Sequence, residues 1–252
     1  MMARLGDKTA LVTGAGSGIG EAVARRFAAE GARVIIADRD TAAAERVAAD
    51  IGDAARAQTV DISQEEQVAA AFDEIAAAGW APNVVVANAG VQLFGQDAQI
   101  ADLDLEVWRR TVDINLTGTF LTMKHAVRSM LAAGGGSIIL TGSPTGVTGE
   151  GKDFTAYSTT KAGVHGLGRT VAAAYATRGI RVNTVVPSYV ETPLVSAISG
   201  DPSERAAITS RIPMGRPATP DDLTGVMTFL ASDDSAFATG AAFTVDGGMT
   251  TL

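Results

Sequence analysis

The sequence predicts an α/β fold in which a parallel sheet is covered by helices on both faces. Short apolar runs alternate with longer segments of helical periodicity along the whole chain, which is typical of such sheets. A glycine cluster from Gly14 to Gly20 lies between the first apolar run and the first helical segment. Since no repeat, charge run or linker interrupts the alternation, one domain is expected to cover residues 1–252.

The predicted strands and helices follow one another in the order expected of such a sheet. Apolar runs predict strands at Thr9–Val12, Arg33–Ala37, Ala57–Val60, Asn83–Ala87, Gly136–Leu140, Arg181–Val186 and Ala242–Val245. Helical periodicity predicts helices at Glu21–Glu30, Thr41–Ile51, Gln64–Ala78, Asp104–Leu131 and Asp221–Ala231, with another after residue 152. Residues 188–214 hold three prolines and are predicted as a partly helical excursion that forms the substrate loop.

The composition indicates a soluble globular protein, with 46% hydrophobic and 19% charged residues. No apolar run reaches the roughly 18 residues of a membrane span, and residues 1–7 lack the apolar stretch of a signal peptide. The absence of cysteine excludes disulfides and a Cys-ligated zinc site, and it fits a cytoplasmic location. A net charge of −8 disfavours nucleic acid as a partner, and two histidines are too few for a His-built metal site.

The first strand, the glycine cluster and the next helix and strand form a βαβ unit. Val23 and Phe27 lie on one face of the helix, and the second strand ends at Asp38. Glycines at such a junction let the backbone approach a pyrophosphate, which then lies at the positive end of the helix. The unit therefore predicts dinucleotide binding, and the alternative is an ordinary tight turn in another α/β fold.

Asp38 also indicates which dinucleotide is bound. It follows Gly20 at close to the ~20-residue spacing of the acidic residue that accepts hydrogen bonds from the adenosine ribose. A carboxylate suits a free 2′-hydroxyl and repels a 2′-phosphate, so NAD is favoured over NADP. Arg39 complicates this prediction, because its guanidinium could stack on the adenine or bind a 2′-phosphate.

The third and fourth strands end in residues suited to the same ligand. Asp61 follows the third strand, where its carboxylate could contact the adenine amino group or cap the following helix. The buried-type fourth strand ends in Asn88-Ala89-Gly90, whose small residues would let the sheet edge pass close to a ribose. The long helix that follows carries Asn115, either as a solvated residue or as a holder of water in a proton path.

The fifth strand leads towards the residues that could carry the chemistry. It ends in Thr141-Gly142-Ser143, and a glycine-rich loop then enters the helix that holds Tyr157 and Lys161. Four residues apart on a helix, these two side chains lie on one face, and the ammonium should lower the pKa of the phenol. Such a tyrosine can exchange a proton with a substrate oxygen, although a solvated surface pair is the common alternative. The last helix and strand complete the alternation before Asp246-Gly247-Gly248.

Taken in order, these motifs resemble the short-chain dehydrogenase/reductase family. The resemblance rests on Thr13-Gly14-x-x-x-Gly18-x-Gly20, Asn88-Ala89-Gly90, Asn115, Ser143, Tyr157-x-x-x-Lys161 and Asp246-Gly247-Gly248, and it extends from about Leu5 to Met249. It implies a Rossmann-type, doubly wound parallel sheet of seven strands in a three-layer αβα arrangement. It also implies a homotetramer that assembles through the two longest helices.

The resemblance further implies a role for each matching residue. Tyr157 would be the acid/base, Lys161 would lower its pKa and hold the nicotinamide ribose, and Ser143 would orient the substrate oxygen. Asn115 would hold a water that links Lys161 to solvent, and Thr192 would bind the nicotinamide carboxamide. The implied cofactor-binding residues are Gly14, Ser17, Gly18, Ile19, Gly20, Asp38, Arg39, Asp61, Ile62, Asn88, Ala89, Gly90, Tyr157, Lys161, Pro187, Val190 and Thr192.

Three positions depart from the family pattern. Ala87 replaces a second asparagine, which should affect strand packing more than chemistry. Ser188 replaces the glycine that usually follows Pro187, and we expect a loop variant rather than a hydroxyl at the nicotinamide face. Pro144, directly after Ser143, fixes φ and is expected to reshape the substrate pocket.

The expected reaction is a metal-independent, NAD(H)-dependent interconversion of a secondary alcohol and its ketone. The expected substrate-binding residues are Gln92, Ser143, Thr145, Phe154 and Tyr189, with Leu93, Val147, Val190, Leu194 and Ile198 as further pocket candidates. No arginine is evident among them, so a strongly anionic substrate is disfavoured. A cyclic or aryl-bearing alcohol is expected first, and a sugar or polyol second.

Two alternative functions stay open. An NADPH-dependent 3-oxoacyl-carrier-protein reductase would need a basic docking patch and preferably no Asp38, whereas the chain is acidic. A non-catalytic NAD-binding regulator is the alternative from another class. Proteins of that kind in this fold tend to lose the tyrosine or the lysine, and both are present here.

Overall fold

The computed structural model describes residues 3–149, 151–195 and 200–251. Its strands are β1 Thr9–Thr13, β2 Arg33–Asp38, β3 Ala55–Thr59, β4 Val84–Ala87, β5 Gly136–Thr141, β6 Ile180–Pro187 and β7 Ala242–Val245. They form one seven-stranded sheet in the order β3-β2-β1-β4-β5-β6-β7, and all neighbouring pairs are parallel. The predicted doubly wound sheet is confirmed, and its strand order reverses between β1 and β4.

Helices cover both faces of this sheet. They are α1 Gly18–Ala29, α2 Thr41–Ile51, α3 Glu65–Ala77, α4 Leu105–Val112, α5 Gly118–Ala133, α6 Thr155–Tyr175, α7 Pro202–Thr209 and α8 Asp221–Ala231. Within the described ranges, none of these helices combines the length and apolar character that a membrane span requires.

The core is divided into two layers by the sheet. On one face, Phe72 of α3, Met123 of α5 and Val164 of α6 belong to one buried apolar cluster. On the other face, Phe27 of α1 and Met227 of α8 belong to a second cluster. Because the central strands are buried on both faces, their sequences are continuous apolar runs and do not alternate between apolar and polar residues. The result is the expected αβα arrangement of three layers.

The predicted helix Asp104–Leu131 differs from the structure in its middle. A π-helical segment, Asp113–Thr117, separates α4 from α5, and α5 continues to Ala133 before Gly134 ends it with φ 91°. A π segment inserts one residue without changing the apolar stripe much, so helical periodicity did not reveal it. Asn115 lies inside this segment and is buried.

The third strand and the excursion after Pro187 were predicted with different success. The third strand is Ala55–Thr59 rather than Ala57–Val60, because it lies at the sheet edge and its residues are only partly buried. The excursion after Pro187 is partly helical as predicted, with a 3-10 turn at Pro193–Val195 followed by α7. The pocket candidate Ile198 lies outside the described residues.

Candidate active site

A cleft of about 540 Å³ opens at the carboxyl ends of the strands, where doubly wound sheets bind their ligands. Most of the predicted site residues line it. On the side we call the cofactor side they are Gly14, Ser17, Gly18, Ile19, Asp38, Arg39, Asp61, Ile62, Asn88, Ala89 and Gly90. On the side we call the substrate side they are Gln92, Ser143, Thr145, Phe154, Tyr157, Lys161, Pro187, Tyr189, Val190, Thr192 and Leu194.

The glycine loop forms a cradle between β1 and α1. Gly14 has φ 64°, and a Cβ there would lie 2.9 Å from the Cα of Ala89. The N-cap residue Ser17 makes no side-chain hydrogen bond to the first turn of α1, so amides of that turn are available to an anion. This arrangement fits a pyrophosphate at the helix N-terminus.

Gly20 lies behind the wall of the cleft, where α1 meets the glycine loop. It does not line the cleft, and a Cβ at this position would lie 2.2 Å from the carbonyl oxygen of Gly14. Glycine is required there because α1 packs directly against the loop.

Asp38 holds the cradle together at the end of β2. Its Oδ2 accepts a hydrogen bond from the amide of Gly16 at 2.9 Å, and its Oδ1 accepts one from the amide of Asp40 at 3.0 Å. Each carboxylate oxygen keeps a further lone pair, which fits ribose hydroxyls. Arg39 beside it is exposed and also lines the cleft.

Asp61 shapes the turn after β3. Its Oδ1 accepts from the amide and the hydroxyl of Ser63, at 2.9 and 2.7 Å. Helix α3 begins later, with Gln64 as its N-cap residue, so Asp61 stabilises the turn and does not bond the helix's own amides. Its other carboxylate oxygen has no hydrogen bond to the described residues, so a contact with an adenine amino group stays open.

Asn88 connects three strand ends. Its side-chain Nδ2 donates to the carbonyl oxygen of Thr13 at 3.1 Å, and its Oδ1 accepts from the Thr141 hydroxyl at 3.1 Å. The Thr13 hydroxyl accepts from the amides of Asn88 and Ala89, at 3.0 and 3.1 Å. The cofactor side is therefore held rigidly by bonds among β1, β4 and β5.

Tyr157 and Lys161 lie on successive turns of α6. The Lys161 Nζ lies 5.6 Å from the centroid of the Tyr157 ring. It donates one hydrogen bond, to the carbonyl oxygen of Thr141 at 2.8 Å, although the residue is only 6% exposed. An ammonium has three donors, so this buried group retains the capacity to bind ribose hydroxyls.

Burial shifts both of these groups away from their charged forms. It raises the pKa of Tyr157 to about 12, and hydrogen bonding to the Ser143 side chain opposes part of that shift. It lowers the pKa of Lys161 to about 8. In the protein alone the pKa of Tyr157 is therefore raised and not lowered, because burial is the dominant cause.

Ser143 caps a short turn at the end of β5. Its Oγ lies 3.0 Å from the Thr145 hydroxyl and accepts from the Thr145 amide at 3.4 Å. Pro144 begins the 3-10 turn Pro144–Gly146, where a missing amide proton costs nothing. Pro144 lines the cleft as well, so this departure from the expected pattern lies in the pocket wall.

The substrate side contains residues that sequence reasoning missed. Among them are Phe94, Ile208, Arg211 and Met249. Arg211 corrects the expectation that the pocket holds no arginine. The predicted pocket residues Leu93 and Val147 do not line the cleft. No local pattern marks the missed residues, because they meet only where the excursion and the C-terminal turn fold over the sheet.

Comparison with known proteins places this geometry in a family. The family model described as enoyl-(acyl carrier protein) reductase matches residues 14–250. A cis-4-hydroxycyclohexanecarboxylate dehydrogenase from Sinomonas cyclohexanicum is 43% identical over 98% of each chain. A short-chain type dehydrogenase/reductase from Mycobacterium marinum superimposes with a TM-score of 0.93, at 36% identity over 100% of this chain and 98% of its own. The chain belongs to the short-chain dehydrogenase/reductase family.

Other members of the family differ in substrate and cofactor. A cyclohexanol dehydrogenase from Acinetobacter sp. (strain SE19) is 36% identical over 99% of this chain and 98% of its own. A gluconate 5-dehydrogenase from Burkholderia cenocepacia J2315, solved with NADP and tartrate, has a TM-score of 0.93 at 35% identity, covering 99% of this chain and 98% of its own. A 3-ketoacyl-(acyl-carrier-protein) reductase from Brucella melitensis, solved with NADH, has a TM-score of 0.91 at 36% identity, covering 98% of this chain and 99% of its own. Family membership makes this chain an oxidoreductase with a nicotinamide cofactor and leaves NAD and NADP both open.

In this short-chain dehydrogenase/reductase, Asn115 binds the loop after β4 and does not line the cleft. Its Oδ1 accepts from the amide of Val91 at 2.7 Å, and its Nδ2 donates to the carbonyl oxygen of Val91 at 2.8 Å and to the Thr160 hydroxyl at 3.3 Å. Both amide protons of the side chain are thus used within the protein. A water link from this position to Lys161 would have to use a main-chain carbonyl of the π segment or the remaining lone pair of Oδ1.

The other two departures from the family pattern lie in different environments. Ala87 is buried in the core at the end of β4, as expected for an effect on packing. Ser188 lines the cleft, and its amide donates to the carbonyl oxygen of Val245 at 3.4 Å.

Proposed function

We propose that this protein interconverts a cyclic secondary alcohol and its ketone with NAD(H). The observation that carries the proposal is the convergence of Ser143, Tyr157 and Lys161 in one cleft, beside apolar side chains such as those of Phe154 and Leu194. The similarity of the chain to a cyclohexanol dehydrogenase and to a hydroxycyclohexanecarboxylate dehydrogenase supports a cyclic alcohol over a sugar or polyol.

In this proposal, Tyr157 exchanges a proton with the substrate oxygen and Ser143 orients that oxygen by a hydrogen bond. The nicotinamide supplies the hydride acceptor or donor and, in its oxidised form, a positive charge. In the protein alone, burial raises the pKa of Tyr157 to about 12, and the positive charge of an oxidised nicotinamide would add to that of Lys161 in favouring the phenolate. Lys161 binds the nicotinamide ribose with the donors that Thr141 leaves free.

We infer NAD(H) rather than NADP(H) from Asp38. Its carboxylate faces the glycine loop and, with Asp40 nearby, disfavours a 2′-phosphate. A fluorescence titration with NADH and NADPH in parallel tests this inference. We expect NADH to bind at least about tenfold more tightly, or about 1.4 kcal/mol. Tighter binding of NADPH would mean that Arg39 determines the selectivity, and the carrier-protein reductase would become the leading candidate.

The substrate screen follows in the oxidative direction with NAD. Cyclohexanol and cis-4-hydroxycyclohexanecarboxylate are the primary probes, an aryl-bearing secondary alcohol is the third, and a polyol is the comparison. A 3-oxoacyl thioester is tested separately in the reductive direction, with NADH and with NADPH. The presence of Arg211 in the cleft favours acceptance of a ring carboxylate as well as a neutral ring. Tight NADH binding without turnover of any probe would point to the non-catalytic regulator instead.

We also expect a homotetramer. The longest helices, α5 and α6, would form its main interface, and Phe120 of α5 is 46% exposed in the single chain. Native mass spectrometry measures the assembly directly, and a monomer at micromolar concentration would contradict this expectation.

A further inference from the structure

Helix α6, which carries Tyr157, is capped from a distant part of the chain. Its N-cap residue, Phe154, makes no side-chain capping bond. The amides of Ala156 and Tyr157 instead donate to the carboxylate of Asp97, to Oδ1 at 3.1 Å and to Oδ2 at 2.9 Å. The Asp97 Oδ1 also accepts from the amide of Ala98 at 2.9 Å. Asp97 is only 7% exposed, so this carboxylate depends on these amides for its solvation.

Asp97 belongs to the loop after β4, whose earlier part lines the cleft through Gln92 and Phe94. We call residues 94–99 the strap, because they contact the start of α6 at three points. The ring of Phe94 packs edge-on against Phe154 at 5.6 Å between centroids, and Gln99 Nε2 donates to Asp153 Oδ1 at 2.9 Å. The hydrogen bonds that Asp97 accepts lie between these two contacts along the strap.

We infer that Asp97 is a positioning residue for the proposed reaction. It fixes the backbone amide of Tyr157 itself, and it joins the wall of the substrate pocket to the residue that exchanges the proton. The negative carboxylate suits the positive end of α6. A displacement of about 1 Å in the phenol position is enough to slow a reaction by roughly a hundredfold. This inference rests on the proposed function, because it assigns Tyr157 to the proton transfer.

The test compares Asp97→Ala with a matched control, Asp104→Ala. Asp104 also caps a helix with its carboxylate, accepting from the amides of Glu106 and Val107 at 2.7 and 3.4 Å, and it does not line the cleft. Both substitutions remove one capping carboxylate, and helix capping should suffer in both. Only the first removes a cap from the helix that carries Tyr157.

For Asp97→Ala we expect kcat for the ring alcohol to fall by roughly tenfold to a hundredfold, with NADH affinity changed by less than about twofold. The primary deuterium isotope effect on kcat should rise, because hydride transfer becomes more rate-limiting. Asp104→Ala should lower the melting temperature and leave kcat within about twofold of the parent. Wild-type kcat in Asp97→Ala, or equal losses of kcat in the two variants, would overturn the inference.

Two additional measurements keep the result interpretable. Asp97→Asn conserves the shape and one acceptor oxygen, so it should fold if the alanine variant does not, and its kcat should lie between those of the alanine variant and the parent. Hydrogen exchange of the α6 first turn, followed by mass spectrometry with NADH bound, reports on the cap without turnover. Faster exchange in Asp97→Asn and in Asp97→Ala supports the cap even if no alcohol is oxidised, whereas unchanged exchange contradicts it.

Discussion

The cofactor side and the substrate side of the cleft are built in different ways. The cofactor side consists largely of glycines, backbone amides and short polar side chains at the ends of β1 to β4, and bonds such as Asn88 to Thr13 hold it. The substrate side consists of larger side chains from the strap, the loop after β5, the excursion and the C-terminal turn. The contrast suggests that cofactor binding depends on close backbone packing, whereas substrate selectivity depends on side chains brought together over long distances.

The largest effect should come from the centre of the substrate side. Tyr157→Phe removes the phenol oxygen and conserves the ring, so we expect turnover to fall by about a thousandfold or more. NADH affinity, measured by fluorescence titration, should stay close to that of the parent because the cofactor side is untouched. Substantial retained activity would refute the role proposed for Tyr157 and would remove the main functional distinction between the two sides.

The same contrast explains what the sequence could predict. The glycine loop and Asp38 are local features, since a strand, a tight turn and a helix N-terminus lie within one short segment. Asp97 and Arg211 carry no local signal, because an aspartate in a loop and an arginine after a helix are ordinary surface residues. Their positions follow only from the packing of the strap on α6 and of the excursion over the cleft.

Two features inside the predicted regions also escaped sequence reasoning, for physical reasons. The π segment around Asn115 keeps the apolar face of the helix, so periodicity alone could not distinguish it from regular α-helix. The pKa of Tyr157 depends on how deeply the phenol is buried, and the spacing to Lys161 contains no information on burial.

A substitution on the cofactor side should produce the second largest effect. The Cβ of Gly20→Ala would lie 2.2 Å from the Gly14 carbonyl oxygen and 2.9 Å from Asn88 Nδ2, so the loop and α1 must move apart. We expect NADH affinity to fall by at least about tenfold, or 1.4 kcal/mol. Gly225→Ala in α8 is the control, because a Cβ there meets nothing within 4 Å and alanine favours the helix. Unchanged NADH affinity in Gly20→Ala would show that the loop tolerates looser packing than proposed.

A smaller, substrate-specific effect is expected at Arg211. If its guanidinium attracts a ring carboxylate, Arg211→Gln should lower kcat/KM for cis-4-hydroxycyclohexanecarboxylate by about tenfold. The value for cyclohexanol should change by less than about twofold, because a neutral ring makes no charge contact. Arg205→Gln is the control, since Arg205 pairs with Glu191 and does not line the cleft. Equal losses for both substrates would indicate that Arg211 acts on the fold of the excursion and not on the charge of the substrate.

The smallest effect should be a pH dependence of stability that arises where the two sides meet. Burial lowers the pKa of Lys161 to about 8, whereas an unfolded lysine titrates near ~10.4. Between these two pKa values the unfolded chain binds more protons than the folded protein does. The free energy of unfolding therefore increases as pH rises. The free energy of unfolding, measured with urea and without cofactor, should rise by about 1–2 kcal/mol more in the parent than in Lys161→Met between pH 8 and 9.5. The exposed Lys152→Met should give no such difference. If the difference in unfolding free energy between the parent and Lys161→Met does not change with pH, Lys161 remains solvated. The proposal that its buried donors bind the ribose would then lose its basis.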